Sequence, residues 1–465
     1  MRPDLWSEGL AVYGDMKGLS RVIGESKIST APEDLICYGF DASRIEGKPR
    51  AVVWPESVDD VVRLSRFASD RKIPIVPRGA GTGTTGGAVP ARGAIVVSFE
   101  RMSGILEIDT DNLSVVVEPG VINGNLQREL AVHGYFYPPD PASMNFCTIG
   151  GNVAENAGGP RAVKYGVTGD YVMSLEAVLA DGSLINTGVK TPKGVVGYDL
   201  TSLLVGSEGT LAAITKVRLK ILPEPEDIIT LLVSFDDLRA SGEAVSRVTS
   251  EGIMPRTLEF MDRDAIAAVE EFRPSGLGHA EALLIIELDG DHRAVQRQSE
   301  RVVELCRGLG GDVSVAEDTR DRERLWESRR AVPSAINRVS PTKINEDIVV
   351  PRSEIPGMLT YLRSLSERSG IRIISFGHAG DGNIHVNIMV DEEDREEYER
   401  GHGLVKDIFT ETLRLGGTIS GEHGVGLTKA DYINMEIGHR EMDLMRGIKR
   451  LFDNGNILNP GKVFP

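Results

Sequence analysis

Three histidines and a glutamate combine residue types and spacings suited to metal-assisted acid–base chemistry. His378 and His385 lie in the run Phe376-Gly377-His378-Ala379-Gly380-Asp381-Gly382-Asn383-Ile384-His385-Val386-Asn387. Asp-Gly between two β-like arms is a strong hairpin signal, and a turn symmetric about Asp381-Gly382 sets His378 directly opposite His385. Cross-strand partners have Cβ atoms roughly 4.5–5.5 Å apart, which suits two imidazoles sharing a divalent ion. Asn387, two residues on, faces the same side. Downstream, Ser420-Gly421-Glu422-His423-Gly424-Val425-Gly426 offers a carboxylate and a third imidazole between glycines. Two histidines and one carboxylate form a recurrent catalytic metal set with positions left open for substrate. For His133, His279, His292, His402 and His439, which lack such company, a hydrogen-bonded or surface role is the simpler reading.

A second signature is the loop Pro77-Arg78-Gly79-Ala80-Gly81-Thr82-Gly83-Thr84-Thr85-Gly86-Gly87. Its glycines let backbone N–H groups close on an anion such as a pyrophosphate. It contains a formal Gly81-x-Gly83-x-x-Gly86 fingerprint, which marks a nicotinamide site only when a helix follows. Breaker-rich residues 87–93 lead instead into the β-like run Ala94 to Phe99. The ending of a nucleoside-triphosphate loop is also missing, and the plain alternative is a surface turn without ligand. A further region rich in glycine, asparagine and hydroxyls, Thr148 to Gly159, together with Tyr137 to Ser143, is more than one ordinary turn requires. Both stretches are expected to line the same ligand.

The elements that must position these residues follow from periodicity. Residues 1 to 50 read as a helical lead-in, Ala51 to Trp54 as a strand, and Ser57-Val58-Asp59-Asp60 as a capping box opening a helix with Val58, Val61, Val62 and Phe67 on one face. A strand at 72–76 completes a β-α-β unit that delivers the glycine loop. Ser114 to Glu118, a hairpin about Asp181-Gly182, and Ile214 to Ile221 are further strands. Pro223-Glu224-Pro225-Glu226-Asp227 reads as a linker and domain boundary. Beyond it, strands Ile228 to Phe235 and Ala282 to Leu288 alternate with helices Asp237 to Glu251 and His292 to Leu309, an α+β module of the ferredoxin-like kind.

Composition narrows the function classes. A length of 465 residues accommodates two or three domains, and 41% hydrophobic with 26% charged residues is ordinary for a globular protein. The net charge of -17 disfavours nucleic acid or an anionic membrane as the main partner and leaves a basic protein partner open. Cys37, Cys147 and Cys306 are scattered, which supports neither a disulfide framework nor an iron–sulfur cluster and suggests buried, inert thiols. Without an apolar leader segment or a run of bilayer length, the expectation is a cytoplasmic protein with no direct membrane insertion, meeting a membrane only through a partner.

With both motif sets in view, the chain resembles the FAD-dependent 2-hydroxy-acid dehydrogenases of the vanillyl-alcohol-oxidase superfamily. The shared features are the glycine loop, Ile149-Gly150-Gly151-Asn152, Gly206-Ser207-Glu208-Gly209-Thr210, the histidine hairpin, Gly421-Glu422-His423-Gly424, and the ending Asn456 to Phe464. The resemblance implies an α+β architecture with a two-part, PCMH-type FAD-binding domain over 1–222 and a ferredoxin-like cap over 223–415. A segment over 416–465 would return to the FAD domain. FAD would be non-covalent, because the histidine that some relatives carry in the loop for covalent attachment is missing. Pro77, Arg78, Gly79, Ala80, Gly81, Thr82, Gly83, Thr84, Gly86 and Gly87 would hold its pyrophosphate. Pro141, Ser143, Gly150, Gly151, Asn152, Asn156, Gly158, Gly159, Tyr165, Gly166, Glu208, Gly209 and Ile214 would surround ribityl and isoalloxazine, joined by Asn459.

The same resemblance implies that His378, His385 and Glu422 bind a divalent metal (zinc, manganese or iron) and that Arg329 pairs with the substrate carboxylate. Asn387, His378 and His385 would border the substrate. His423 would be the general base, taking the hydroxyl proton while the α-hydrogen leaves as hydride to flavin N5. The residue reading alone leaves Arg329 equally open as a solvated helix arginine. Relatives that accept dicarboxylates carry a lysine where this chain has Asn345, with Lys343 two places away, so D-lactate or glycolate is favoured over D-2-hydroxyglutarate. The electron acceptor is left open among oxygen, quinone, a dye-like carrier, an electron-transferring flavoprotein and an iron–sulfur subunit, with a protein partner favoured, and a homodimer is left open. Rival readings from other classes are a metal-dependent hydrolase and a non-catalytic electron-transfer subunit.

Overall fold

The computed structural model describes residues 16–465. The expected helical lead-in thus falls partly outside the described residues; within them, helices Met16–Ile23 and Pro32–Cys37 form, with a short strand β1 (Ile28–Ser29) between them. β1 joins β2 (Ala51–Val53), β3 (Ile75–Arg78) and β4 (Ile95–Ser98) in the order β1-β2-β4-β3. The last three run parallel and are almost wholly buried, as continuous Val/Ile runs covered on both faces must be. Helix Val58–Arg71 crosses from β2 to β3, burying Val61, Leu64, Phe67 and Ala68.

Half of the expected capping box forms. Ser57 Oγ accepts from Asp60 N at 3.3 Å, while the Asp60 carboxylate accepts from Glu56 N at 3.0 Å instead of returning to Ser57. Lys72, expected to open the next strand, adopts the left-handed conformation (φ 53°) that ends the helix, so β3 begins at Ile75. The glycine loop leaves β3 and no helix follows it before β4, as the breaker-rich sequence requires.

A second, antiparallel sheet contains β5 (Ile105–Asp109) and β6 (Ser114–Val117). After the short β7 (Tyr135–Phe136), it continues with β8 (Val172–Val178), β9 (Leu184–Gly188) and β10 (Ala213–Lys220), in the order β5-β6-β10-β8-β9. Gly182 turns the β8–β9 hairpin with φ 78°. The region 148–159 is not all loop. Ile149–Glu155 is a helix because Thr148 Oγ1 accepts from Gly151 N at 3.2 Å and Asn156, at φ 54°, closes its far end.

The expected linker shrinks to residues 224–226, since β11 (Leu222–Pro223) pairs with β7 and β12 starts at Asp227. The third sheet comprises β12 (Asp227–Phe235), β13 (Thr257–Asp262), β14 (Ala282–Gly290), β15 (Asp312–Val315), β16 (Thr342–Val349), β17 (Ile373–Gly377) and β18 (Asn383–Val390). It is antiparallel throughout, in the order β15-β12-β14-β13-β17-β18-β16. Its first four strands have the 4-1-3-2 order of a ferredoxin-like unit, and β17, β18 and β16 extend it. Separate apolar cores line its two faces: Phe260, Leu284, Val386 and Ile388 belong to one, Met261, Ile285, Phe376 and Met389 to the other.

The last residues do return to the first sheet. Ile457 O accepts from Ile75 N, and Asn459 N donates to Ile75 O, both at 2.8 Å, which extends the sheet past β3. Among the described residues no helix is long and apolar enough to cross a membrane. Cys147 and Cys306 are buried as expected, but Cys37 is exposed at the end of its helix.

Candidate functional site

At the Asp381-Gly382 hairpin, His378 and His385 come together by a different register from the expected one. His385 pairs with Phe376, and His378 lies beyond the end of β17, its carbonyl accepting from Asn383 N at 3.1 Å. The turn is therefore centred one residue earlier than the predicted one, between Gly380 and Asp381. The side chains still meet, with ring centroids 5.1 Å apart and edge-to-face.

Glu422 reaches both rings: its Oε1 is 3.4 Å from His378 Nε2 and 3.6 Å from His385 Nε2. One ligand atom from each of these three residues lies within 4.8 Å of the others, a set that could hold a metal ion. The far side of each ring supports that fit. His378 Nδ1 bonds Glu259 Oε1 at 2.8 Å, and His385 Nδ1 faces Asp347 Oδ1 at 3.3 Å. A buried carboxylate behind Nδ1 turns Nε2 toward a shared point, the usual outer support of metal-binding histidines. Burial opposes charge on His378, yet Glu259 and Glu422 together hold its pKa well above the ordinary value. Glu422 is held below the carboxylate range: burial works against this, and His378 and His385 outweigh it.

Glu259 and Asp347 were absent from the sequence expectations. The signal was weak: Glu259 interrupts the apolar run Leu258 to Met261, while Asp347 follows Glu346 at the start of Ile348-Val349-Val350, and a carboxylate buried in such a strand must have partners. Asp347 also shapes the turn that carries Glu422. Its Oδ2 accepts the N–H groups of Gly421, Glu422 and His423 at 2.9, 2.8 and 3.0 Å. His423 then stacks on His385, with centroids 5.2 Å apart and planes 9° from parallel. Burial, reinforced by His385, lowers its pKa, with Asp347 and Glu422 pulling the other way. The imidazole is thus neutral at neutral pH, the form that accepts a proton. A second grouping, Asp347, His385 and His423, shares His385 with the first.

Arg329, on helix Thr319–Ile336, is buried at the same place. Its Nη2 bonds Glu259 Oε2 at 2.7 Å, its guanidinium lies 4.8 Å from the Phe376 ring, and its Nε has no partner among the described residues. Asn387 is fully buried opposite Asn345, and its Oδ1 is likewise without a partner there.

The predicted cofactor residues gather on the other side of the turn. Gly83 opens onto free space where a Cβ would project, and Gly81 holds φ 69° against the Arg78 guanidinium. Arg78 itself is turned back, with Nη1 donating to Phe40 O at 2.8 Å. Thr84 Oγ1 and Asn152 Nδ2 are buried and have no partner among the described residues, so a polar ligand would satisfy them. A cleft of about 880 Å³ opens beside Gly79, Ala80, Gly120, Val121 and Thr148 and touches none of the histidines. These features fit a dinucleotide cradle separate from the histidine cluster.

Several predicted contacts have other occupations. Asn156 Oδ1 accepts from Gly169 N, and Tyr165 donates to Asp289 at 2.7 Å. Gly150 packs on Pro119, Gly159 on Asp140, and Gly166 on Asp170. Pro141 and Ser143 accept backbone bonds within their own turn, Gly209 abuts Pro77, and Ile214 is a core residue of β10. Gly158 approaches Glu422, whose Oε2 would stand 2.9 Å from an added Cβ. The Glu208 carboxylate accepts from Val425 N and Gly426 N, both at 2.7 Å, and Asn459 Nδ2 ties Gly87 O to Glu208 O.

Comparison with known proteins matches these two regions to two flavoprotein profiles. The FAD binding domain profile matches residues 49–188, and the profile "FAD linked oxidases, C-terminal domain" matches residues 224–463. A glycolate oxidase subunit, GlcD, of Bacillus subtilis is 43% identical over 449 residues, covering 96% of both chains. A D-lactate dehydrogenase of Anaerostipes hadrus is 36% identical, covering 92% of each. Among solved structures, p-cresol methylhydroxylase with substrate bound aligns with a TM-score of 0.80 at 17% identity over 96% of this chain and 95% of that one, a likeness of fold. A cradle in the first half of the chain and a histidine–carboxylate cluster in the second, each within a matching profile, make the chain a member of the FAD-linked oxidase family.

Proposed function

We propose that this protein oxidises a D-2-hydroxy acid to the 2-oxo acid with FAD as the oxidant, D-lactate or glycolate being the favoured substrate. FAD-dependent hydroxy-acid oxidation is the chemistry of the relatives that match nearly the whole chain, a glycolate oxidase subunit and a D-lactate dehydrogenase. The observation that carries the reading here is His423 stacked on His385 beside Glu422 and His378.

The chain's own residues divide the work. Arg329 binds the substrate carboxylate through donors not used by Glu259, and Asn387 Oδ1 accepts a hydrogen bond from the substrate. His423 takes the hydroxyl proton, since a neutral imidazole is the competent form. His378, His385 and Glu422 would hold a divalent cation, which when bound lowers the pKa of the hydroxyl. FAD, when bound in the cradle, accepts the hydride. The residues of 1–222 serve as the FAD-binding unit, those of 223–415 supply the substrate side, and those of 416–465 return to the first. Asn345, opposite Asn387, is uncharged where relatives that accept dicarboxylates carry a lysine, which supports a monocarboxylate substrate. Reoxidation by a partner protein is supported by the "subunit" in the relatives' names.

Anaerobic titration of the flavin-loaded protein with D-lactate, glycolate, L-lactate and D-2-hydroxyglutarate tests the reading. Bleaching of the flavin bands by D-lactate or glycolate, lost after chelation and restored by metal, is expected. No bleaching by any of the four would sink it.

A further inference from the structure

We propose that Glu208 is a positioning residue for the turn that carries Glu422 and His423, and that it acts from the FAD-binding half of the chain. The inference rests on the reading of Glu422 as metal ligand and His423 as base.

Between Gly421 and Gly426, all but one of the backbone N–H groups end on two carboxylates. Asp347, on β16, takes those of Gly421, Glu422 and His423. Glu208 takes those of Val425 and Gly426, one on each carboxylate oxygen. The remaining residue, Gly424, has φ 77°, and a Cβ there would lie 2.6 Å from Glu155 Oε2 and 3.0 Å from Glu208 Oε1, so the backbone rests directly on these acids. Thr85, in the glycine loop, adds a third hold by donating from Oγ1 to His423 O at 2.9 Å.

Glu208 is itself immobilised. It holds a left-handed backbone (φ 51°), donates from N to Ala154 O at 2.8 Å, and accepts from Asn459 Nδ2 at its carbonyl at 2.7 Å. A non-glycine residue in that conformation persists only where its surroundings fix it. The residue is only 6% exposed, and each of its carboxylate oxygens accepts one N–H of the turn. The turn is therefore suspended between the two halves of the molecule. Asp347 sets it against the histidines, while Glu208 and Thr85 set it against the cradle. The distance from His423 to a flavin in the cradle follows from the second pair.

Glu208→Gln and Thr85→Val in the flavin-loaded protein test this. Glutamine accepts only one of the two N–H groups and points its own N–H₂ at the other. Three readouts apply: FAD content, Zn²⁺ affinity by chelator competition, and the rate of anaerobic flavin reduction at saturating D-lactate or glycolate. Glu208→Gln should keep FAD, lose about 10-fold in Zn²⁺ affinity, and reduce flavin at least about 10-fold more slowly with little change in half-saturating concentration. Thr85→Val should slow reduction by about 3-fold, in line with one lost hydrogen bond, with Zn²⁺ affinity nearly unchanged. Loss of FAD from Glu208→Gln at unchanged Zn²⁺ affinity would make Glu208 a cofactor contact and overturn the proposal, as would wild-type reduction rates in both variants. If Glu208→Gln does not fold, Thr85→Val alone decides by its rate. A wild-type protein that neither binds Zn²⁺ nor bleaches removes the reading of Glu422 and His423, and the positioning role with it.

Discussion

Glu259 stands between Arg329 and His378, with Oε2 at 2.7 Å from the arginine and Oε1 at 2.8 Å from His378 Nδ1. One buried carboxylate thus connects the group proposed to bind the substrate acid with a ring of the proposed metal set. Glu259→Gln retains an acceptor for only one of the two. We expect it to weaken metal binding by about 10–100-fold, the usual effect of removing such a support, measured by chelator competition on the flavin-loaded protein. Unchanged affinity would mean that Glu259 only neutralises Arg329.

Arg329→Lys keeps the charge but not the forked geometry. The half-saturating concentration of substrate should rise by about 10-fold or more, with a smaller change in the saturating rate. Titrating the flavin-reduction rate against substrate separates the two. An effect confined to the saturating rate would argue that Arg329 does not touch the substrate.

His423→Ala should lower flavin reduction by about 10²–10⁴-fold, the range for a lost general base, while FAD and metal stay bound. Stopped-flow absorbance measures the rate, and metal analysis of the same sample checks occupancy. A variant that reduces flavin within a few-fold of wild type removes His423 from the reaction.

Lys462 donates to Val89 O at 2.6 Å, and burial lowers its pKa to about 8, with Asp41 and Glu208 opposing. Below about pH 8 both folded and unfolded chains carry the proton, and burying the charge destabilises the fold. Between about pH 8 and 10.4 the folded chain sheds the proton while the unfolded chain keeps it, so stability rises with pH by up to about 1.4 kcal/mol per unit. Lys462→Met has no such dependence. The difference in thermal midpoint, wild type minus variant, should therefore move in favour of wild type from about pH 7.5 to 9.5. A difference that stays flat or moves the other way refutes the assignment.

How far the sequence could be read depended on how local each signal was. The glycine loop, the strands β12 and β14 and the Asp381-Gly382 hairpin are specified by adjacent residues, and each was anticipated. Turn register was not, because the period-2 pattern places His385 on the correct face whichever residue it opposes, and Phe376 took the partner position expected for His378. The helix Ile149–Glu155 was not anticipated because its first turn contains Gly150 and Gly151, and the Thr148 cap that compensates for them is a side-chain detail. Glu259 and Asp347 meet the histidines only through strand pairings far apart in sequence, so no spacing rule could have joined them. Glu208 was expected among the cofactor contacts, whereas its carboxylate bonds run to residues more than two hundred positions away.

The pairing of residues 457–459 with Ile75 has a consequence for biosynthesis. Asn459 ties Gly87 to Glu208, so the wall of the cradle is closed by a stretch translated long after the glycine loop itself. During synthesis the first sheet must wait with its β3 edge unpaired while the seven-stranded sheet is made and folded. The first sheet and the cradle wall are therefore completed only when the last residues of the chain have been made.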